Sequence, residues 1–379
     1  RAAPTLWVKD ASRAVGVVQK LLSDEQRGRY LAEIREDYDR VRAEFAARES
    51  AAQRLPLAAA RANAAQVDWD AYRPPVPRRL GLTTFDDIEL AALVQYIDWT
   101  PFFLSWELGG RYPAILDDPE KGALARSLFD DAQAMLRQIV DERWLTPRAV
   151  VGLFPANRAG ADDVAVYADE ARREPLATFR FLRQQSQRRA GQPNLCLADW
   201  VAPAGVPDYL GGFAVTSGSE AGARADAYAA EHDDYRAILL KALADRLAEA
   251  LAEYLHARVR RELWGYAADE ALDHEALVQE RYRGIRPAPG YPACPEHTEK
   301  GVLWRLLEVE PRTGITLTDS FAMDPPASVS GFYFAHPAAR YFAVGKLNRD
   351  QVEDYAARKG FDLATAERWL APNLGYTSA

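Results

Sequence analysis

Only two cysteines, Cys196 and Cys294, stand in a chain of 379 residues. So few exclude a disulfide framework and an iron–sulfur cluster, and they point to a reducing compartment, so a cytoplasmic location is expected. Histidine is nearly as scarce, with five copies, none paired with another at a ligand spacing. Cys294-Pro-Glu-His297 supplies at most half of a zinc site, and His274-Glu275 fails as a zinc-protease helix because position 278 is Val. No protein-bound metal is therefore expected. The chain has no G-x-G, so the Rossmann phosphate fingerprint is missing, and it has no G-x-S-x-G nucleophile elbow. Gly345-Lys346-Leu347 lacks the flanking residues of a P-loop. No apolar run approaches the ~20 residues of a membrane helix. Surplus positive charge is missing too: a net charge of −8 disfavours nucleic acid as the main partner. The opening Arg1-Ala2-Ala3-Pro4 carries neither an initiator Met nor the apolar core of a signal peptide, so a piece of a longer protein is expected.

What is present is ordinary soluble material, 48% hydrophobic and 27% charged, long enough for two or three domains. Thr5–Val8 reads as the end of a strand feeding a helix capped at Ser12, with Val15, Val17, Val18, Leu21 and Leu22 as its apolar positions. Ser23 with Gln26 makes a capping-box pattern for a second helix, striped by Tyr30, Ile34, Tyr38, Val41 and Phe45. The stretch from Ala46 to Pro77 turns to Ala, Arg and Pro and reads as a linker. Beyond it, Thr84–Glu89 is expected to open a helix toward Leu93 and Tyr96, and Leu124–Ile139 is amphipathic. Val150–Pro155, Val164–Tyr167, Leu176–Leu182, Leu195–Ala198, Gly211–Val215, Ile315–Thr318, Gly331–Phe334 and Tyr341–Val344 have strand length and character. Their short connections predict a mixed, largely antiparallel sheet. One long helix is expected from Ser219 or Glu220 to about Trp264, and two shorter ones close the chain from Arg349 and Ala364. On the long helix Asp245, Glu249 and Glu253 fall at i, i+4 and i+8; such a row is either a solvated face or a site for a cation. Asp98, between Ile97 and Trp99, is either a helix cap or a carboxylate in need of a cationic partner.

One stretch stands apart. From Arg283 to His297 four prolines, at 287, 289, 292 and 295, make a stiff loop that suits neither helix nor strand. Gly290 is where the backbone can turn or let a ligand approach. Arg286 and Tyr291 project from a scaffold that loses little entropy when something binds. Thr298 is a candidate cap for the helix that follows. A surface connector is the plainer reading of such a loop, but its pinned ends favour a clamp.

That loop, with Ile97-Asp98-Trp99-Thr100-Pro101-Phe102 and Lys241-Ala242-Leu243-Ala244-Asp245-Arg246-Leu247, resembles the C-terminal activation domain of cobalamin-dependent methionine synthase. The resemblance runs from about residue 70 to the end, whereas residues 5–45 resemble the last strand and helix of the preceding cobalamin-binding domain. It implies three parts: a remnant of that domain over 1–45, a linker over 46–77, and an activation domain over 78–379. The fold implied is α+β, C-shaped, with a central antiparallel sheet flanked by helices. The implied S-adenosylmethionine site comprises Asp98, Arg286, Ala288, Tyr291 and the Tyr341–Phe342 pair, with Glu249 and Glu280 nearby. The ligand's chemistry agrees: Arg286 can fork onto its carboxylate, acidic groups suit its ammonium and sulfonium, and tyrosines suit its flat faces. The resemblance further implies that a flavodoxin-like donor reduces the cobalt of an adjoining domain and that the ligand's methyl group traps it. No side chain here then needs to be a nucleophile. Arg258, Arg260 and Arg261 are candidates for a donor-docking patch, although a solvated helix end explains them as well. Zinc would belong only to the homocysteine and folate modules, which this chain lacks, so it should not make methionine by itself. A module that binds S-adenosylmethionine or docks on a corrinoid protein without methyl transfer is the alternative.

Overall fold

A computed structural model describes residues 5–8, 11–51, 53–86 and 88–378, without the side chains of 11–13 and 45–51. The chain divides into two units, Arg1–Leu55 and Pro56–Ala379. The first is a pair of helices, α1 (Ala11–Leu22) and α2 (Asp24–Ala51). Residues 5–8 form no strand. The Ser23 hydroxyl accepts from the Gln26 N–H at 3.3 Å, as the capping pattern predicts. Of the expected stripe on α2, Val41 is half exposed, whereas the side chains of Phe45 and of the expected cap Ser12 lie outside the described residues.

The residues of the expected linker, 46–77, are divided between the two units. The first of them continue α2, and from Pro56 onward they pack within the second unit. There α3 (Leu57–Ala62) buries Leu57 and Ala60, Arg61 pairs with Asp162 and Asp354 at 2.7 and 2.8 Å, and the Trp264 indole donates to the Pro75 carbonyl.

The second unit is built on a six-stranded antiparallel sheet of order β4-β3-β2-β5-β8, with β1 also on β2. The strands are β1 (Gly81–Phe85), β2 (Arg148–Ala159), β3 (Asp163–Tyr167), β4 (Pro175–Arg180), β5 (Asp208–Thr216) and β8 (Ser328–Tyr333). A separate two-stranded ribbon joins β6 (Thr316–Leu317) to β7 (Met323–Asp324). Every residue of β5 and β8 is buried, because helices cover both faces. One face packs on α4 (Leu90–Leu93), α5 (Thr100–Ser105), α6 (Gly122–Asp141) and α8 (Asp234–Arg258), with Val151, Leu153, Phe213 and Val215 pointing to it. Val150, Leu210, Ala214 and Phe332 point to the other, where α10 (Glu299–Leu307) supplies Leu303, Trp304 and Leu307. Gly152 and Gly212, paired across β2 and β5, let α10 approach: a Cβ on either would lie 2.5 Å from Leu307 Cδ2 or 2.7 Å from Leu303 Cδ1.

Several expectations change. Thr84-Phe85 ends β1, a strand in place of the expected helix start, because its residues pair with Val150 and Ala149 of β2. Asp87 lies outside the described residues. Leu195–Ala198 is no strand; a 3₁₀ turn over Leu197–Trp200 buries Asp199. Tyr341–Val344 is irregular. The long helix is two, α7 (Glu220–Ala230) and α8, broken where His232 takes a left-handed φ of +62°. Asp233 caps α8 by accepting from the Arg236 N–H. Thr298 does occupy the cap position of α10, but its hydroxyl donates to Glu296 instead. Two short helices, α9 (His274–Val278) and α11 (Val309–Thr313), lie before and after α10 in the chain, and the closing helices, α12 (Arg349–Lys359) and α13 (Leu363–Trp369), begin within a residue of where expected.

Candidate functional site

The proline loop is fixed to the edge of the sheet next to β8. Ile285 bridges to Phe334, and the Phe332 N–H donates to the Pro287 carbonyl at 2.8 Å. Gly331 is required there, since a Cβ on it would sit 2.6 Å from the Pro287 oxygen. At its far end the loop turns back on itself, with the Gly290 N–H on the Cys294 carbonyl at 2.7 Å and φ of +97° at Gly290. The segment after β8 then closes on it: the Val344 N–H donates to the Pro292 carbonyl, and the Arg286 N–H donates to the Tyr341 hydroxyl at 3.0 Å.

Two adjoining cavities open beside this clamp. The larger, about 520 Å³, is walled by Phe213, Val329, Phe342, Ala288, Ala293 and neighbouring prolines, with Tyr291 and Tyr341 at its side. The smaller, about 340 Å³, is the more polar of the two, lined by Asp98, Arg246, Glu253, His274 and Tyr282 among others. Glu249, Glu280 and Arg286 line both. All eight residues singled out from the sequence thus meet here, although Asp98 reaches only the smaller cavity. Asp98 also accepts from the Thr100 N–H at 2.9 Å, but the cap position of α5 is Trp99 and no side chain caps it, so Asp98 is not the expected helix cap.

Arg286 occupies the junction. Its Nη2 donates to Glu253 Oε2 at 3.1 Å, its Nη1 lies 4.0 Å from Glu249 Oε2, and its buried Nε has no hydrogen-bond partner among the described residues. Burial alone would lower its pKa, but Glu253 foremost among its neighbours raises it, so the guanidinium stays charged. Burial lifts the Glu280 carboxyl above the usual glutamate range despite Arg286. Burial likewise raises Tyr291 and Tyr341, which therefore remain neutral phenols.

The acidic row on α8 is not a solvated face. Asp245 is exposed, Glu249 is partly covered, and Glu253 is only 8% exposed, so the row descends from solvent into the site. Glu253, Tyr282, Phe213 and Val329 were not singled out as ligand contacts; the spacing of Glu249 and Glu253 was the one signal that pointed to any of them. The suggested basic patch is also revised. Arg260 is fully buried on Glu270 and Arg258 pairs with Glu262 at 2.9 Å, so of the three only Arg261, partly exposed with its Nε on the Ala257 carbonyl, has no carboxylate partner among the described residues.

Residues 89–360 match the family model described as the activation domain of vitamin B12-dependent methionine synthase. A crystal structure of the MetH reactivation domain bound to AdoHcy is similar at 57% identity, covering 86% of this chain and 99% of that one with a TM-score of 0.83. The chain belongs to the family of vitamin B12-dependent methionine synthase activation domains.

Proposed function

We propose that the two cavities form one site for S-adenosylmethionine and that the chain presents the ligand's methyl group to reduced cobalamin on an adjoining domain. The unpartnered, buried Nε of Arg286, at the junction of the more polar and the more apolar cavity, carries the reading. A charged donor left so costs free energy unless a ligand completes it. The residues suit the whole molecule. Arg286 would fork onto the carboxylate, Asp98, Glu249 and Glu280 would face the cationic groups, and Phe213, Val329, Phe342 and Ala288 would enclose the adenine. The AdoHcy held by the similar reactivation domain is the same molecule without the methyl group. Bound here, S-adenosylmethionine would supply a methyl group activated on sulfur for transfer to reduced cobalamin, leaving S-adenosylhomocysteine in the site. This chain's task is to hold and aim, without general acid or base.

Residues 1–45 would be the end of the cobalamin-binding domain, and a flavodoxin-like protein the electron donor. A cytoplasmic setting fits two buried, reduced cysteines. Calorimetric titration of the full chain with S-adenosylmethionine, beside Arg286→Ala, tests the site. One-site binding that the variant weakens by about 1.5–3 kcal/mol is expected, and no binding by the folded parent would refute it. Transfer of labelled methyl to added, reduced corrinoid domain separates a reactivating module from one that merely binds.

A further inference from the structure

We infer that Glu253 is a positioning residue for the ligand-binding arginine: held between Arg286 and Arg260, it fixes which edge of the Arg286 guanidinium faces the cavities. The inference rests on the reading of those cavities as an S-adenosylmethionine site. Glu249, Glu253, His256 and Arg260 follow one another at helical spacing, so they share one face that runs from the cavities into the core. Glu253 Oε2 takes the Arg286 Nη2 hydrogen bond at 3.1 Å, and its Oε1 faces Arg260 Nη1 at 3.5 Å.

Arg260 is itself anchored. Its Nε is 2.9 Å from both carboxylate oxygens of Glu270, its Nη2 is 2.7 Å from one of them, and its guanidinium lies over the Tyr282 ring at 4.3 Å. The chain at Arg260 makes a π turn over Val259–Leu263, a local irregularity often found at functional sites. His256, between the two arginines, is stacked on Tyr333 with 5.3 Å between ring centres. Burial, then Arg260 and Arg286, hold its imidazole well below the usual histidine range, so it adds no charge to the row. Charges therefore alternate along Arg286, Glu253, Arg260 and Glu270. Such alternation keeps a buried guanidinium tolerable before any ligand arrives. It also removes rotamer freedom that Arg286 would otherwise lose on binding. Nε shares an edge of the guanidinium with Nη2, so with one Nη2 hydrogen on Glu253 the fork left for a carboxylate is Nε with the other Nη2 hydrogen.

The test compares two ligands on the full chain, S-adenosylhomocysteine and 5′-methylthioadenosine, which keeps the adenosine and the sulfur but has no amino-acid end. Glu253→Gln keeps the shape and removes the charge. It should weaken S-adenosylhomocysteine roughly tenfold while leaving 5′-methylthioadenosine within about twofold of the parent. Glu253→Asp should restore part of the loss, and Glu270→Gln should show the same selectivity more weakly. These two also carry the comparison if Glu253→Gln fails to fold, as judged by circular dichroism. Equal weakening of both ligands would reduce Glu253 to fold support and overturn the inference, as would no change for either. Failure of the site reading looks different: the parent would not bind S-adenosylhomocysteine, or Arg286→Ala would not weaken it.

Discussion

Arg183 and Arg286 are both arginines withdrawn from water, yet their surroundings differ donor by donor. Arg183 is 1% exposed, and all five of its N–H donors are used: Nε on Asp162, Nη1 on Asp199 and the Asn194 carbonyl, Nη2 on Asp199 and the Ala161 carbonyl. Around it Arg61 joins Asp162 to Asp354, and Arg358 joins Asp354 to Asp163, so α3, the start of β3 and α12 are tied together. Arg286 has one strong carboxylate partner and an idle Nε, and its side chain is 21% exposed toward a cavity. A closed guanidinium holds a fold, whereas an open one on a rigid loop awaits a ligand.

The sharpest way to break this contrast is to exchange the consequences of removal. Arg183→Met leaves Asp162 and Asp199 as buried, undercompensated carboxylates and should cost about 3–5 kcal/mol of stability in urea unfolding. Ligand affinity of the folded fraction should not change. Arg286→Ala should do the reverse, losing about 1.5–3 kcal/mol of binding with a smaller loss of stability. A comparable drop in stability in both variants would erase the distinction. Tyr341→Phe removes the hydroxyl that receives the Arg286 N–H, so thermal unfolding with and without ligand should show a loss of about 0.5–1.5 kcal/mol.

Acid should separate the two regions at lower cost. At Asp354 burial would raise the carboxyl, but hydrogen bonds from Arg61 and Arg358 outweigh it and hold the pKa below the usual range. Its stabilising contribution is therefore complete above the unfolded value of about 3.9 and is lost only as pH falls further. Glu280 is shifted the other way, chiefly by burial, so it takes up a proton at higher pH than an ordinary glutamate. A cationic ligand favours its ionised form. Affinity for S-adenosylmethionine should accordingly fall about two- to fivefold between pH 7 and 5, the scale of one partly exposed charge pair. The fold should stay intact over that range, and Glu280→Gln should flatten the dependence. A pH-independent affinity in the parent would remove Glu280 from the site.

The strands of the sheet centre were legible, because Val150–Pro155 and Gly211–Val215 are apolar runs of strand length bounded by turns. The end of β1 at Thr84-Phe85 was not: its local residues suit a helix start, and only pairing with Val150 and Ala149 makes them extended. The break between α7 and α8 escaped for a related reason. Ala-rich sequence favours helix on both sides, and the one local signal of the stop at His232 is Asp233, the cap of the helix that follows. In the site, the proline loop and Asp98 were readable as oddities of composition. Glu253 was visible as a spacing without a meaning, since i+4 carboxylates look alike whether they face water or a buried arginine.

The sequence by itself determined the stiff loop, the alternating strands, the scarcity of metal ligands and the resemblance to a family, all of which are local or compositional properties. Tertiary structure alone decided which charges are buried and what faces them. Whether Arg183 is closed and Arg286 open depends on residues brought in from elsewhere in the chain, such as Asp162, 21 positions from Arg183, and Glu253, 33 positions from Arg286. Desolvation and pairing are set by what packs together, and no neighbour in the chain reports that.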